Sequence, residues 1–336
     1  MNINSTLFPL EASVLASSDI LDKLTSLYTQ KIRTCRFYYR GIHDTYIVKA
    51  GCEIYYFKIY RYGFRSKEEI QIEIDWLKHL KECGIYATMP IVNMDGEYIT
   101  EFNTLQGIRY GVLFSSVGTL SFNEVEETDL INKKLGEYLA SMHCALDSME
   151  YTSCRSELNI DTFINIPMQH IKDFAKFYTF DLDFLETVAI SVKEKISVLS
   201  NEAAQYGICH GDFYSGNIRF NDSNIPVSYD FDFSGYGWRA YDISLYASPF
   251  SWGADTVKMQ SREKRKTAFL NGYSKIRSIS DDEIKSIDLF TPFRRIFNIG
   301  IIYICMSNTW GDDWAIKNLN SDITMLRRWL ELNPVL

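Results

Sequence analysis

Two short segments near the middle of the chain place three oxygen-bearing side chains at a fixed spacing. The first runs from His210 to Asn217 (His-Gly-Asp-Phe-Tyr-Ser-Gly-Asn), and the second is Asp230-Phe-Asp232. Asp212 can accept the proton of an attacking hydroxyl group. Asn217 and Asp230, the latter at the end of a strand-like run, offer the oxygen ligands that Mg²⁺ prefers. The spacing predicts phosphoryl transfer from a metal-bound nucleotide. The alternative is a turn in which Asn217 caps a helix.

Further motifs surround these side chains. They lie at residues 208–218 (Ile-Cys-His-Gly-Asp-Phe-Tyr-Ser-Gly-Asn-Ile), 227–235 (Val-Ser-Tyr-Asp-Phe-Asp-Phe-Ser-Gly) and 241–243 (Tyr-Asp-Ile). Together they resemble the aminoglycoside phosphotransferase and choline kinase superfamily, in which His-Gly-Asp replaces the His-Arg-Asp of protein kinases. Residues 112–118 and 135–143 also resemble the branch that holds bacterial stress-response kinases and type II homoserine kinases. The resemblance implies a kinase-like fold, ATP and Mg²⁺ as cofactors, and a hydroxyl group as acceptor.

The resemblance also implies supporting roles for other polar residues. Asp242 resembles the carboxylate that anchors the catalytic loop of this superfamily through backbone hydrogen bonds. His210 is expected to brace the same loop, and Asp232 to support the metal ligand Asp230. By contrast, His143 lies at helical spacing in an apolar stretch, which favours a packed core histidine over a catalytic one.

A lysine and a glutamate occupy apolar surroundings in the first third of the chain. Lys58 lies inside the strand-like run 55–60 (Tyr-Tyr-Phe-Lys-Ile-Tyr), where its charge must reach solvent or an anion. Glu73 lies on or beside the apolar stripe of a helix that Ser66 and Glu69 open as a capping box. Because an unpaired buried charge is costly, we predict a Lys58–Glu73 ion pair, with Lys58 contacting the nucleotide phosphates. The alternative is a solvated glutamate at the edge of the stripe.

Two further segments are expected to contact the nucleotide. A phosphate-binding loop is expected between the first two strands, where Gly41 is the only nearby glycine and Asp44 and Thr45 are the polar candidates. A plain hairpin turn is the alternative there. Leu113 and Ser115 lie in the predicted hinge, whose backbone N–H and C=O groups would bind adenine.

The order of the predicted elements places strands first and helices second. A helix is predicted at residues 11–30 and another from 66 to about 81. Strands are predicted at 35–39, 45–49, 54–59, 86–92, 97–101 and 107–114. Later helices are predicted at 128–147, 163–177, 183–200, 256–276, 282–307 and 321–332. This order indicates an α+β protein with a bilobal, protein-kinase-like fold. The small sheet-rich N-lobe (1–117) would bind nucleotide, and the large helical C-lobe (118–336) would carry the catalytic loop, the metal site and a helical substrate subdomain.

The composition of the chain limits the binding partners and the cellular compartment that we expect. A net charge of −8 argues against nucleic-acid binding, which needs a basic surface. The seven cysteines are scattered and form no Cys-x-x-Cys pair, as in reduced cytosolic proteins without structural zinc. We expect no signal peptide, because no basic residue precedes Lys23, and no membrane partner, because the apolar run at 299–306 is too short to span a bilayer. The sequence therefore predicts a cytoplasmic protein.

The acceptor is expected to be a small molecule, because only eleven residues separate Asp230 from Asp242 and leave no peptide platform. The helical tail supplies aromatic and acidic side chains that would suit an amine. Together with Tyr214, the candidates are Phe250, Trp252, Asp255, Trp310, Asp312, Asp313 and Trp314. The alternative for the tail residues is that they are core aromatics and surface acids.

We therefore predict an ATP-dependent kinase of a small, cationic metabolite or antibiotic, either aminoglycoside-like or amicoumacin-like. Homoserine or an amino alcohol is the next candidate acceptor. Two other functions stay open: a protein Ser/Thr kinase of the stress-response type, and a non-catalytic kinase-fold binding protein. The presence of Lys58, Asp212, Asn217 and Asp230 argues against the last.

Overall fold

The computed structural model describes residues 10–150, 155–202, 205–248 and 256–336, with the side chains of the last range described from residue 260 onward. The chain divides into two units. The first comprises Met1–Ile74 and Met89–Ser116, and the second comprises Asp75–Thr88 and Val117–Leu336. Across the described ranges, none of the helices combines the length and the apolar character needed to cross a membrane.

The first unit is built on a five-stranded antiparallel sheet in the order β1-β2-β3-β5-β4. Its strands are β1 (Ile32–Arg40), β2 (Asp44–Ala50), β3 (Glu53–Ile59), β4 (Ile99–Thr104) and β5 (Gly107–Ser115), and helix α1 (Ser17–Leu27) precedes them. In β2, Tyr46, Val48 and Ala50 alternate with more exposed residues, so one face of this strand is buried. Ile20 and Leu24 of α1 belong to the same apolar core.

Helix α2 (Lys67–Glu82) begins at the predicted capping box. The Glu69 N–H donates to Ser66 Oγ at 3.2 Å, and the Ser66 N–H donates to Glu69 Oε2 at 2.9 Å. Two backbone donors that the helix itself cannot pair are thereby satisfied. The predicted start of this helix is confirmed.

The second unit is mostly helical. Its helices are α3 (Asp129–Leu146), α4 (Ile166–Phe174), α5 (Leu182–Ile196), α6 (Arg239–Ala247), α7 (Thr256–Ile276), α8 (Asp281–Ser286), α9 (Phe290–Phe297), α10 (Ser307–Trp310) and α11 (Asp312–Leu332). The order of the described elements, sheet first and helices second, confirms the predicted α+β class. Short strands form two small antiparallel sheets: β7 (Tyr206–Cys209) with β10 (Gly235–Trp238), and β8 (Ile218–Phe220) between β6 (Leu120–Ser121) and β9 (Pro226–Ser228).

Helices α3 and α7 pack closely because a glycine faces the partner helix on each side. A side chain at Gly136 of α3 would collide with the backbone of Phe269, and one at Gly272 of α7 would collide with the backbone of Lys133. The absence of a Cβ at both positions lets the two backbones approach. Tyr273, on the same face of α7, is thereby brought to the buried ring of His143.

Several predicted elements differ from the structure: the helix predicted at 11–30 spans Ser17–Leu27, and the helix predicted at 321–332 begins at Asp312. Residues 86–92 do not form a strand, because Ala87 bridges Ser228 while Pro90 bridges Phe114, so the segment has no single partner. The predicted helix at 282–307 is interrupted by a 3₁₀ turn at Ile287–Leu289 and a π-helical segment at Asn298–Ile304. Pro292 has no N–H to donate to the Asp288 carbonyl, which accounts for the first interruption.

Candidate active site

The His-Gly-Asp segment leaves strand β7 and lies against the segment that enters β10. Cys209 pairs with Gly235 at the end of the β7–β10 ladder, so both segments start from neighbouring positions. Gly211 has a φ of 80°, and a side chain there would collide with the Phe233 carbonyl. Glycine is therefore required by conformation and by space, and it lets the catalytic loop pass against residues 230–234.

Asp242 of α6 anchors the start of this loop. Its side chain is fully buried (0% exposed) and accepts from the His210 N–H at 2.5 Å and the Gly211 N–H at 2.8 Å. The His143 Nε2–H also donates to Asp242, at 3.1 Å, and the Tyr273 hydroxyl donates to His143 Nδ1 at 2.8 Å. Burial lowers the pKa of His143 to about 4 although Asp242 opposes the shift, so this histidine is neutral and packed.

The carboxylate of Asp212 is held from two sides. Asn217 Nδ2 donates to Asp212 Oδ2 at 2.9 Å and to the Asp212 backbone carbonyl at 3.0 Å. Arg294 of α9 donates from Nη2 to Asp212 Oδ1 at 2.8 Å. Burial raises the pKa of Asp212, the Arg294 charge opposes that shift, and the Asp230 charge adds to it. The side chain is thus an oriented carboxylate beside a second acid.

Asp230 follows β9 and has a strained backbone. Its φ of 63° and ψ of 66° place a non-glycine residue in the left-handed region, directly before a 3₁₀ turn at Phe231–Phe233. Its side chain is exposed, and its negative charge raises the pKa of both Asp212 and Tyr214. The Asp212 and Asp230 carboxylates interact electrostatically, and the Asn217 amide turns its nitrogen to Asp212. Carboxylate and amide oxygens are the ligand types that fit a hard divalent cation.

Arg155, which the sequence analysis did not single out, organises the segment after Asp230. It is buried and donates to the backbone carbonyls of Phe231 at 3.0 Å and Ser234 at 2.8 Å, and also to that of Asp232. His210, likewise buried, lies with its ring centroid 4.2 Å from the ring of Phe231. Its Nδ1 accepts from the Asp212 N–H at 3.3 Å, and burial lowers its pKa. These contacts fit a bracing role for His210, and Asp232 is also buried.

The predicted Lys58–Glu73 ion pair is present in the first unit. Lys58 Nζ lies 3.7 Å from Glu73 Oε1, and the Glu73 side chain is only 2% exposed. The Tyr60 hydroxyl donates to Glu73 Oε2 at 3.2 Å, and Lys58 Nζ lies 4.8 Å from the centre of the Tyr60 ring. Thr45 is directly opposite Lys58 in the β2–β3 register, so the two side chains share one face of the sheet.

Asp44 has a different environment from the one that a phosphate loop requires. Its Oδ1 accepts from Arg40 Nε at 2.7 Å, and its Oδ2 accepts from Arg109 Nη2 at 2.9 Å. The side chain is 3% exposed, and Arg109 also donates to the Tyr60 carbonyl at 3.0 Å. Two guanidinium groups therefore neutralise this carboxylate inside the sheet, which favours a structural role for Asp44 over the predicted phosphate contact.

The predicted hinge groups are partly occupied by the segment before β4. The Ile91 N–H donates to the Leu113 carbonyl at 2.7 Å, and the Ser115 N–H donates to the Met89 carbonyl at 2.8 Å. The Ser115 hydroxyl in turn accepts from the Met89 N–H at 3.1 Å. Since an N–H makes one strong hydrogen bond, the Ser115 amide is not available to adenine in this arrangement.

The predicted substrate residues of the helical tail lie together at the α10–α11 junction. We call Trp310, Asp312, Asp313 and Trp314 the tail cluster. The ring centroids of Trp310 and Trp314 lie 6.0 Å apart, and Trp310 is 42% exposed. Asp312 and Asp313 are exposed in the first turn of α11, and Asp312 accepts a short hydrogen bond from the Tyr178 hydroxyl. Tyr214 is 44% exposed. Phe250, Trp252 and Asp255 lie outside the described residues.

An aromatic contact extends this cluster toward the base. The rings of Tyr303 and Trp314 lie 5.7 Å apart, and Tyr303 is close enough for the positive charge of Arg294 to act on its pKa. Arg294 itself contacts Asp212. The tail cluster and the candidate base are therefore linked through α9 and the π-helical segment within the second unit.

We predict that Asn217→Ala and Asp230→Ala each raise the Mg²⁺ concentration that supports half-maximal rate by about tenfold or more, since each removes an oxygen donor from the proposed metal site. Titration calorimetry with Mg·ATP and rates measured across a metal series test this. Asp222→Ala, at an exposed carboxylate after β8, is the matched control. Unchanged Mg·ATP affinity together with unchanged metal dependence in both variants would exclude these ligands.

The fold and the carboxylate loop define a phosphotransferase with a kinase-like fold. The chain belongs to the phosphotransferase enzyme family (APH), which matches residues 39–278. The resemblance found in the sequence is therefore confirmed, and the protein is an enzyme of the kinase type.

Known relatives and structures agree with this placement. Amicoumacin kinase from Bacillus subtilis (strain 168) is 23% identical over 261 residues, which cover 74% of this chain and 74% of that protein. The structure of amicoumacin kinase hAmiN in complex with AMP-PNP, Ca²⁺ and Ami aligns with a TM-score of 0.74 at 19% identity, covering 95% of this chain and 93% of that one. A microcompartment-associated aminopropanol kinase aligns with a TM-score of 0.74 at 18% identity, covering 95% and 99%. These two structures share the kinase-like fold of this chain.

Proposed function

We propose that the protein transfers the γ-phosphate of ATP, with Mg²⁺, to a hydroxyl group of a small cationic molecule, either an aminoglycoside-like or an amicoumacin-like antibiotic or a related metabolite. The observation that carries this proposal is the Asp212 carboxylate, held by Asn217 and Arg294 beside the oxygen donors of Asn217 and Asp230. Phosphoryl transfer needs an oriented hydroxyl on one side of the γ-phosphate and neutralising charge on the other.

In the proposed reaction, Asp212 accepts the proton of the acceptor hydroxyl as the oxygen forms its bond to the γ-phosphorus. The bond from the γ-phosphorus to the β,γ-bridging oxygen breaks, and ADP leaves with the electron pair. Asn217 and Asp230 would hold Mg²⁺, which when bound neutralises charge on the phosphate oxygens. Asn217 also fixes the Asp212 carboxylate, so one side chain serves both the base and the metal. Asp242, His210 and Arg155 keep the two loops in place.

The two units divide the proposed work. The N-lobe (residues 1–117) would bind the nucleotide, with Lys58 and Glu73 as the predicted phosphate-binding pair and Thr45 as a further contact. The C-lobe (residues 118–336) would supply the base, the metal ligands and the acceptor pocket. Lys58 is suited to its role because Glu73 and Tyr60 fix it without fully burying its charge.

The acceptor is proposed to carry an amine. The tail cluster joins two carboxylates, Asp312 and Asp313, to the exposed indole of Trp310 and the half-buried indole of Trp314. Carboxylates pair with ammonium groups, and aromatic faces attract cations. The similarity to amicoumacin kinases supports an antibiotic acceptor. The similarity to an aminopropanol kinase supports an amino alcohol as the second candidate.

The proposal is tested by incubating the purified protein with Mg·ATP and a panel of hydroxylated antibiotics, amino alcohols, homoserine and protein substrates, followed by mass spectrometry. We expect one phosphoryl group on an amine-bearing small molecule. Transfer to protein substrates alone would instead support the stress-response type of kinase, and transfer only to acceptors without an amine would overturn the cationic acceptor.

We predict that replacing the carboxylate that pairs with the amine, by Asp312→Asn or Asp313→Asn, raises the KM for the acceptor by about tenfold or more and leaves the KM for ATP unchanged. Asp281→Asn is a matched control, because Asp281 is likewise exposed in the first helical turn, of α8. Asp313→Asn and Asp281→Asn should perturb helix stability alike, whereas Asp312→Asn also changes the contact with the Tyr178 hydroxyl. If neither Asp312→Asn nor Asp313→Asn alters the acceptor KM, this cluster is not the amine pocket, although the kinase assignment survives.

A further inference from the structure

We propose that Arg294 of α9 is a positioning residue for phosphoryl transfer, which clamps the Asp212 carboxylate in the orientation that receives the acceptor proton. This inference rests on the proposed function. The catalytic loop at 210–217 and the segment at 230–235 contain no lysine or arginine. A cation beside the base must therefore come from another part of the chain, and Arg294 supplies it from 82 residues beyond Asp212.

The guanidinium group of Arg294 is fixed by several independent contacts. Nη2 donates to Asp212 Oδ1 at 2.8 Å, while Nη1 donates to the Tyr241 hydroxyl at 2.8 Å and lies 3.4 Å from the Gly211 carbonyl. The Tyr241 hydroxyl also donates to the Gly211 carbonyl, at 3.0 Å. Arg294 thus contacts the base directly and the adjoining backbone both directly and through Tyr241.

Two aromatic rings, which also contact each other at 5.5 Å between centroids, pack against the same group. The Arg294 guanidinium carbon lies 5.1 Å from the ring centre of Phe233 and 5.2 Å from that of Phe297. The side chain is only 9% exposed. Because burial, ring contacts and hydrogen bonds already restrict this arginine, little conformational freedom remains to be lost when the acceptor binds.

Each oxygen of the Asp212 carboxylate has a different hydrogen-bond donor. Oδ2 accepts from Asn217 and Oδ1 accepts from Arg294, so the plane of the carboxylate cannot rotate without breaking a hydrogen bond. Each oxygen keeps a second lone pair, on which the acceptor hydroxyl can donate. Arg294 also offsets the repulsion between Asp212 and Asp230, which would otherwise push the two carboxylates apart.

The inference is tested with Arg294→Met, which keeps the length of the side chain and removes its charge and donors, and with Arg294→Lys. Arg295→Met is the matched control, because the neighbouring guanidinium pairs with Asp322 and not with Asp212. We expect Arg294→Met to lower kcat by about tenfold to a hundredfold, with the KM for ATP within about twofold of the wild type. Arg294→Lys should have a kcat between those of Arg294→Met and the wild type. Arg295→Met should have a kcat close to that of the wild type.

Comparing the kcat losses of the single and double variants distinguishes a positioning role of Arg294 from a general effect on stability. In an Asp212→Asn background, Arg294→Met should lower kcat further by less than about threefold, because the carboxylate that Arg294 positions is already absent. Full additivity of the two losses would overturn the inference, as would wild-type kcat in Arg294→Met.

The clamp can be tested separately from the reaction. If the wild-type protein phosphorylates no acceptor, the proposed function fails. Chemical denaturation of the wild type, Asp212→Asn, Arg294→Met and the double variant still tests the pairing. We expect the Asp212–Arg294 coupling to change the unfolding equilibrium constant by about tenfold. Additive effects within about twofold would overturn the clamp whatever the reaction proves to be.

Discussion

Replacing Asp212 with asparagine should lower turnover by at least about a hundredfold while leaving folding and nucleotide binding nearly intact. Asparagine keeps the shape of the side chain and offers an oxygen to one of the two donors that now contact it, Asn217 or Arg294. What the substitution removes is the capacity to take the acceptor proton. A loss confined to turnover would therefore identify Asp212 as the base.

The measurement compares kcat at saturating ATP and acceptor, Mg·ATP affinity by calorimetry, and the melting temperature. Asp222→Asn serves as the control, because Asp222 is exposed and bonds only to the Thr119 hydroxyl among its described contacts. Near-normal turnover in purified, folded Asp212→Asn protein would remove this residue as the base.

Replacing Asp242 with alanine should lower the free energy of unfolding by about 3–5 kcal/mol, because buried donors lose their acceptor. The carboxylate is fully buried and accepts from the His210 and Gly211 N–H groups and from His143. Alanine would leave three buried donors without their acceptor, and each unsatisfied donor costs about 1–3 kcal/mol. Relaxation of the loop and entry of water keep the net loss below the sum of these costs.

Urea denaturation of Asp242→Ala, with Asp222→Ala as the exposed control, measures this loss. Asp242→Asn should fall between the wild type and alanine, because an amide offers one acceptor oxygen and turns its own donors toward another donor. A loss of less than about 1 kcal/mol in Asp242→Ala would show that the loop is held by other contacts.

Local patterns in the sequence predicted much of the site. The Ser66–Glu69 capping box and the Lys58–Glu73 ion pair both follow from apolar periodicity and the cost of a buried charge, and both are present. The family motifs around residues 210–217 and 230–232 likewise identified the segments that the structure brings together. Such features depend on spacing within one or two elements, which a sequence displays directly.

The residues that the sequence did not reveal act across long separations. Arg294 reaches Asp212 from 82 residues away, and Arg155 reaches the Phe231 carbonyl from 76 residues away. Arg294 and Arg295 are adjacent on a largely apolar helix, and neither carries a periodic signal. The ion pair between Asp44 and Arg109 likewise joins residues on strands that are far apart along the chain, so no local pattern predicts it.

The interruptions of the tail helix were missed for a related reason. Residues 287–304 are apolar enough to be read as one helix, but Pro292 and a π-helical segment change the direction of successive side chains. This shift affects the positions of Arg294, Arg295 and Tyr303 relative to one another. Only the tertiary packing decides which of the two arginines contacts the base.

One paired measurement tests whether the protein transfers a phosphoryl group from ATP to a small hydroxylated amine through Asp212. Wild-type and Asp212→Asn proteins are incubated with Mg·ATP and the acceptor panel, and ADP and phosphorylated product are quantified together by mass spectrometry. We expect equal amounts of ADP and a phosphorylated amine with the wild type, and at least about a hundredfold less of both with the variant. Equal product from the two proteins, or no phosphorylated compound from the wild type across the whole panel, would contradict this expectation.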